Sequence, residues 1–373
     1  MKYWIILLCG IIGLMSDLSA QSRCVIRGEL SGLPTNEVQI VKATLDYRYH
    51  GAYAAVKQGK FEFVLETEVP EAYKLIFVTS SPRKWYTYFF FPDTDKINFT
   101  IDSAGTCKIS GSPLNLLYQQ FRSEEQQGFS TYSQKLKDSV IQNKCTPAVK
   151  RKLMNLLSDL GKQKENYVRE YFSGKRNEVF YYWLIEELKK TKENREELGE
   201  ELFTDYQEMA KLYPQHPYTD LGKTLINGLN TIKPGGKYVE FIAPDLNGNL
   251  INITDKIRGK IALIDLWASW CIPCRTKAKA MIPIYEKYKD KGFEIVGIAR
   301  EFKNTEKMKE AITKDKYPWL QLVELNDQNQ IWTRYMLGNA GGGVFLVDPN
   351  GTILSVNPTP QEVEAELVKR FGK

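Results

Sequence analysis

The chain has 373 residues, 43% hydrophobic and 26% charged, which is too long for one average domain and too apolar for disorder. Its 26 Gly and 16 Pro are near ordinary usage and no short period recurs, which excludes collagen-like, coiled-coil and solenoid architectures. The net charge of +6 is modest, and Lys and Arg alternate with Asp and Glu in stretches such as Lys189 to Glu201, so nothing marks a nucleic-acid partner.

Lys2, an apolar run from Tyr3 to Met15 and the small residues Ser16, Ser19 and Ala20 predict a signal peptide over residues 1–20. That run, as a helix, would reach about 20 Å against a hydrocarbon core of about 30 Å, so no membrane span is expected in the mature chain. Leu18 is large for a residue three places before the cleavage point, which leaves an uncleaved anchor as the alternative. Bulky Arg23 ahead of Cys24 argues against a lipid-modified cysteine. Export to the periplasm or cell envelope is the expectation. Of six cysteines, Cys9 lies in the leader, and the remaining odd number excludes a scaffold stapled purely by disulfides.

Over residues 21–111, apolar and polar residues alternate in runs such as Lys60 to Leu65, Tyr73 to Val78 and Lys96 to Ile101, bounded by turns such as Gln58-Gly59. This predicts a small antiparallel β-domain. Its aromatic cluster from Trp85 to Phe91 reads as core rather than ligand platform. Over residues 112–232 the period becomes helical, as in Leu153, Leu157, Leu160 and Phe180, Trp183, Leu184, Leu188. Pro214 and Pro217 break the helices, and Ile232 to Gly236 reads as a linker. His50 and His216 lack nearby ligand or catalytic partners and read as surface or cap residues.

Residues 233–373 alternate strands and helices. Strands are expected at Ile261–Trp267, Phe293–Ala299, Leu320–Val323, Val344–Val347 and Ile353–Val356, with Asn350-Gly351 as a hairpin turn between the last two. Helices are expected at Cys271–Tyr288, Asn304–Thr313, Gln328–Tyr335 and Pro360–Phe371.

In this segment an apolar strand runs through a short turn into Trp270-Cys271-Ile272-Pro273-Cys274, which opens a helix. Unpaired N–H groups at a helix N-terminus stabilise an anion, so the first thiol should ionise below its free value, and Lys277 and Lys279 add positive potential. A disulfide closing so short a loop restricts little chain entropy, so redox cycling explains the pair better than structural stapling. Zinc would need two further ligands at matching spacing, and haem attachment a His where Arg275 stands; no metal and no cofactor beyond the cysteine pair is expected.

Phe241-Ile-Ala-Pro-Asp245, Trp267-Ala-Ser-Trp-Cys-Ile-Pro-Cys-Arg275, Gly292 to Ile298 and Phe345 to Gly351 together resemble the thioredoxin-like domain of TlpA/ResA-type thiol-disulfide oxidoreductases, related to the redoxin and AhpC/TSA group. The fold this implies is an α/β thioredoxin-like domain, a central mixed sheet flanked by helices, behind the β-domain and helical segment. The N-terminal residues resemble the extension of exported bacterial members. The resemblance implies that Cys271 is an exposed nucleophile that forms a mixed disulfide with a partner, that a partly buried Cys274 resolves it, and that Asp265 accepts the Cys274 proton through water. An Asp in so apolar a strand otherwise costs stability. Trp270 and Pro273 would tune shape and potential. Relatives carry a cis-proline opposite the pair; here Gly341 or Gly342 holds that place, in a stretch that also fails as a phosphate loop. Lys279 stands where relatives often have proline, and Pro283 should kink the helix one turn later.

The implied activity is reduction of protein disulfides, with a protein disulfide substrate and a thiol electron donor in the cell envelope as partners. A thiol peroxidase would need a Pro-x-x-x-Thr-x-x-Cys setting that is absent around Cys271. A non-catalytic envelope binding or scaffold protein with a degenerate thioredoxin-like domain is the other alternative, favoured by the missing proline and opposed by the intact cysteine pair. Cys24 and Cys107, at opposite ends of the β-domain, are a candidate structural disulfide; otherwise they are small buried hydrophobes. Cys145 reads as unpaired.

Overall fold

A computed structural model describes residues 22–372 apart from 49, 143–145, 195–197 and 339–340; the expected signal segment and Cys145 lie outside the described residues. The described chain divides into two compact units, one running to Ile40 and continuing as Tyr53–Gln120, the other formed by Val41–Ala52 with Phe121 onward.

Eight strands, β1 (Ser22–Leu30), β2 (Glu37–Lys42), β3 (Ala52–Ala55), β4 (Lys60–Thr67), β5 (Tyr73–Val78), β6 (Trp85–Phe90), β7 (Lys96–Ile101) and β8 (Cys107–Ser110), form two four-stranded sheets ordered β4-β1-β7-β8 and β3-β2-β5-β6. The pairs β1–β4, β5–β6 and β7–β8 are antiparallel, while β1–β7 is parallel. Alternate residues of both sheets, among them Ile26, Val38, Leu75, Phe90 and Phe99, share one core, with Phe90 and Phe99 edge to face at 5.3 Å. The same alternation leaves Trp85 outside, 52% exposed.

The proposed Cys24–Cys107 disulfide is absent, and both thiols are free. Register explains why. Cys107 pairs with Ile101, which pairs with Leu30, so Cys107 sits level with the far end of β1 from Cys24. Six residues of strand separate those levels by about 20 Å, against the ~7 Å limit between Cα atoms of a disulfide. Burial pushes the Cys24 thiol up to about 11 and the Cys107 thiol to about 12, which makes both inert.

Six helices follow: α1 (Pro113–Glu125), leading through a π turn into α2 (Thr131–Gln142), then α3 (Pro147–Tyr171), α4 (Glu178–Asn194), α5 (Glu200–Leu212) and α6 (Pro217–Thr231). The expected apolar face of α4 is buried at Phe180, Leu184 and Leu188. His216 caps α6, its Nδ1 accepting the Tyr218 N–H at 3.1 Å, and is buried rather than on the surface.

The last segment opens with a hairpin, β9 (Ile242–Pro244) and β10 (Leu250–Asn252), and α7 (Ile253–Ile257). Then come β11 (Ile261–Trp267), α8 (Ile272–Tyr288), β12 (Phe293–Glu301), α9 (Glu306–Asp315), β13 (Leu320–Leu325), α10 (Ile331–Arg334), β14 (Gly343–Val347), β15 (Ile353–Val356) and α11 (Pro360–Phe371). Five strands form a mixed sheet, β13-β12-β11-β14-β15, in which the pairs β11–β12 and β12–β13 are parallel and the pairs β11–β14 and β14–β15 antiparallel. The helix expected over Gln328–Tyr335 shrinks to Ile331–Arg334, because Asn326, Asp327 and Gln330 hold left-handed backbone at φ 55°, 56° and 52°. α8 continues through Pro283 as one helix.

β11 is the central strand and every residue in it is buried. Ile261, Leu263 and Trp267 share a core with α8, α9 and α11, whereas Ala262, Ile264 and Leu266 pack with α7 and α10. Period two therefore places Asp265 on the α8 side, on the face above which the cysteines sit.

Candidate active site: the cysteine pair at the start of α8

The tight turn between β11 and α8 is pinned from two sides. The Ser269 backbone N–H donates to Glu301 Oε1 at 2.7 Å and its hydroxyl to Oε2 at 2.8 Å, so the end of β12 holds the turn through a carboxylate 4% exposed. Arg275 donates from Nη1 to the Ser269 carbonyl at 3.2 Å and from Nε to Asp315 Oδ2 at 2.6 Å, and the Tyr317 hydroxyl also donates to that oxygen at 3.1 Å. Burial pushes the Glu301 carboxyl up, although the two Ser269 bonds oppose it. For Asp315 the Arg275 hydrogen bond outweighs burial and holds the carboxyl below its ordinary value. Trp267 is fixed beneath by its indole N–H to Gln321 Oε1 at 2.9 Å and by Tyr317 edge-on at 5.2 Å.

Cys271 and Cys274 form a disulfide with their Cα atoms 5.3 Å apart. Cys271 is the N-cap of α8, and its Sγ accepts the Cys274 N–H at 3.3 Å. That amide is one of the unpaired donors of the first helical turn, so the same contact would stabilise a Cys271 thiolate. The expected order of exposure is reversed: Cys271 is only 8% exposed, and Cys274 is the more accessible of the two. The cap position, not exposure, is what distinguishes Cys271. Trp270 and Ile272 beside it are 37% and 74% exposed, and Pro273 is exposed in the first turn of α8.

Asp265 is 5% exposed. Burial pushes its carboxyl up to about 7, with the charge of Lys277 on α8 acting against the rise. A carboxyl at that value exchanges protons with a thiol far more readily than one at the ordinary value near 4.

The two glycines have different tasks. Gly341 is at φ +146°, and a Cβ built on it would lie 3.9 Å from Cys271 Sγ; its carbonyl accepts the Trp332 indole N–H at 2.7 Å. Gly342 presses on β11, where a Cβ would be 1.7 Å from the Leu266 carbonyl oxygen. Gly341 is therefore the residue across from the disulfide. Sequence reasoning did not single out Ser269, Glu301, Asp315 or Trp332. The only local signals were a polar residue between two Trp and a charged end to the apolar strand Phe293–Glu301. Among the described residues no cluster of His, Cys, Asp and Glu could hold a metal ion, and no helix is long and apolar enough to cross a membrane.

The AhpC/TSA family model matches residues 234–356. Thiol-disulfide oxidoreductase ResA of Bacillus cereus (strain ZK / E33L) is 30% identical over 159 residues, 40% of this chain and 87% of the relative. ResA of Bacillus subtilis (strain 168) is 28% identical over 142 residues, covering 36% and 75%. Among solved structures, the thioredoxin domain of a thiol-disulfide oxidoreductase from Bacteroides vulgatus is 28% identical, with a TM-score of 0.34 over 37% of this chain and 97% of that one. The mixed five-stranded sheet, the cysteine pair opening α8 and the likeness to ResA of Bacillus cereus lead to one assignment: the chain belongs to the ResA-type thiol-disulfide oxidoreductases of thioredoxin-like fold.

Proposed function

We propose that the protein reduces disulfides of other proteins outside the cytoplasm, using its own cysteines and no cofactor. The observation that carries this reading is the Cys271–Cys274 disulfide at the α8 N-terminus with buried Asp265 on the same side of the sheet. In the reduced enzyme the Cys271 thiolate, held by the Cys274 amide, attacks one sulfur of the substrate disulfide. That bond breaks as the mixed disulfide forms, and the departing substrate thiolate takes up a proton. Cys274 then gives its proton to Asp265 through water and attacks Cys271 Sγ, releasing the second substrate thiol and leaving Cys271–Cys274 oxidised. A dithiol donor in the cell envelope returns the two electrons. Trp270, Ile272 and Pro273 face the partner, and Gly341 lines the opposite side. The leader-like sequence of residues 1–20 supports export.

The test is insulin reduction by the full chain, with thiol trapping. Wild type should turn over, Cys271→Ser should be inert, and Cys274→Ser should accumulate a mixed disulfide on Cys271. Full activity in Cys271→Ser, or trapping on Cys274 instead, overturns the assignment of roles; hydrogen peroxide consumed in preference to disulfides overturns the reaction.

A further inference from the structure

A segment remote in sequence from the thioredoxin-like domain reaches the redox site. Val41–Ala52 belongs to the second unit, and within it the Arg48 guanidinium lies over the Trp270 ring, 5.6 Å from the centroid. Trp270 immediately precedes Cys271.

Arg48 is set from behind. Its Nε donates to both Asp46 carboxylate oxygens, at 3.0 and 3.1 Å, its Nη2 to Oδ2 at 2.6 Å, and its backbone N–H to Oδ1 at 3.0 Å. Asp46 is 5% exposed. Burial acts to raise its carboxyl, but the Arg48 hydrogen bonds and the charges of Arg48 and Arg300 outweigh it and keep the group below its ordinary value, ionised. His50 of the same segment lies near Asp327, its Nε2 3.9 Å from Oδ2, and Asp327 is clamped by Arg300 through two bonds of 2.6 Å. Arg300 in turn lies over Trp332, the residue that fixes the Gly341 carbonyl across from Cys271. Arg48 over Trp270 and the Trp332 bond to the Gly341 carbonyl thus stand on the two flanks of the disulfide.

Exposure decides between a cover and an extension of the face. The Arg48 side chain is 38% exposed, Trp270 37% and Ile272 74%, so the guanidinium widens an open surface instead of closing it. We propose that Arg48 is a specificity-determining residue, forming with Trp270 and Ile272 the face on which a stretch of protein chain flanking a disulfide docks before Cys271 attacks. Trp270 and Ile272 take an apolar side chain of the partner, and the oriented guanidinium takes a carbonyl or carboxylate beside it. A small uncharged disulfide such as bis(2-hydroxyethyl) disulfide has neither an apolar side chain nor a carbonyl or carboxylate to place on that face. This inference rests on the disulfide-reducing reading above.

The experiment compares full-length wild type, Arg48→Ala and Arg48→Lys, pre-reduced, against insulin and against bis(2-hydroxyethyl) disulfide. The quantity read is kcat/KM for insulin divided by that for the small disulfide. Arg48→Ala is expected to lower this ratio roughly three- to tenfold, through KM for insulin, as suits a lost guanidinium contact on a partly exposed face. Arg48→Lys, which keeps the charge and loses the fork, should recover part of the loss. A ratio unchanged in Arg48→Ala overturns the proposal, whether the two rates stay as they were or fall together, and leaves the disulfide-reducing reading intact. A wild type inert on both disulfides overturns that reading and this one with it.

Discussion

At the scale of single residues, Asp265 carries the sharpest prediction. Its carboxyl is raised to about 7 in the folded chain and stands near 3.9 when unfolded. Between those values the native state binds a proton that the unfolded state has lost, so this group's contribution to stability is complete below about pH 4 and is lost as pH rises through 7. Asp265→Asn removes the dependence. The variant's stability advantage over wild type should grow between about pH 4 and 7 and level off above, reaching a few kcal/mol at about 1.4 kcal/mol per unit. Urea midpoints of the oxidised proteins across that range measure it; an advantage independent of pH would show that Asp265 does not titrate there. The same variant should slow resolution by Cys274, so that mixed disulfide accumulates in single-turnover trapping.

The two glycines differ in a way that mutagenesis can read. A methyl group on Gly342 would overlap the Leu266 carbonyl of the central strand, whereas one on Gly341 finds only ordinary contact with Cys271 Sγ and pays for its φ of +146° instead. Gly342→Ala is expected to cost about 3 kcal/mol or more and Gly341→Ala about 1–2 kcal/mol. Denaturant unfolding checks the ranking, and an equal or inverted cost would contradict the close approach of residue 342 to β11.

At the scale of elements, what the sequence made legible was local. Ile261–Trp267 reads as a buried strand because seven consecutive residues are apolar except Asp265, and Cys271 reads as a helix start because Pro273 and a helical period follow. The parts that brace the turn were hidden because each partner is distant in the chain: Ser269 finds Glu301 and Arg275 finds Asp315 only after β11, β12 and α9 have been laid side by side. The Cys24–Cys107 pairing failed for the same reason, since strand register is a property of the folded sheet. Arg48 is the extreme case. Its sequence neighbourhood, Asp46-Tyr-Arg48, looks like a polar turn, and its role appears only where it meets Trp270.

At the scale of the molecule, Ile232–Gly236, which reads as a linker, is tied into the redox sheet. The Gly235 N–H donates to the Ile353 carbonyl at 2.8 Å and the Ile353 N–H to the Gly236 carbonyl at 2.8 Å, so the segment lies along β15. Gly228 of α6 packs so closely on Met336 that a Cβ there would meet its Sδ at 2.3 Å. Helices and redox sheet in the second unit should therefore unfold together. Asp205 offers a handle far in sequence from the cysteines: it is 5% exposed and accepts from Arg169 Nε at 2.7 Å and Arg176 Nη2 at 3.1 Å. Asp205→Asn removes the carboxylate that the two guanidinium groups share and leaves each its more exposed partner, Glu201 for Arg169 at 2.9 Å and Glu208 for Arg176 at 3.0 Å, at a cost of about 1–2 kcal/mol. If the unit is cooperative, hydrogen exchange should show that loss equally at the slowest amides of α4 and of β11 and β12. Protection lost in the helices alone would mean that the bonds between Gly235, Gly236 and Ile353 do not couple the two halves, and that the redox sheet keeps its stability without them.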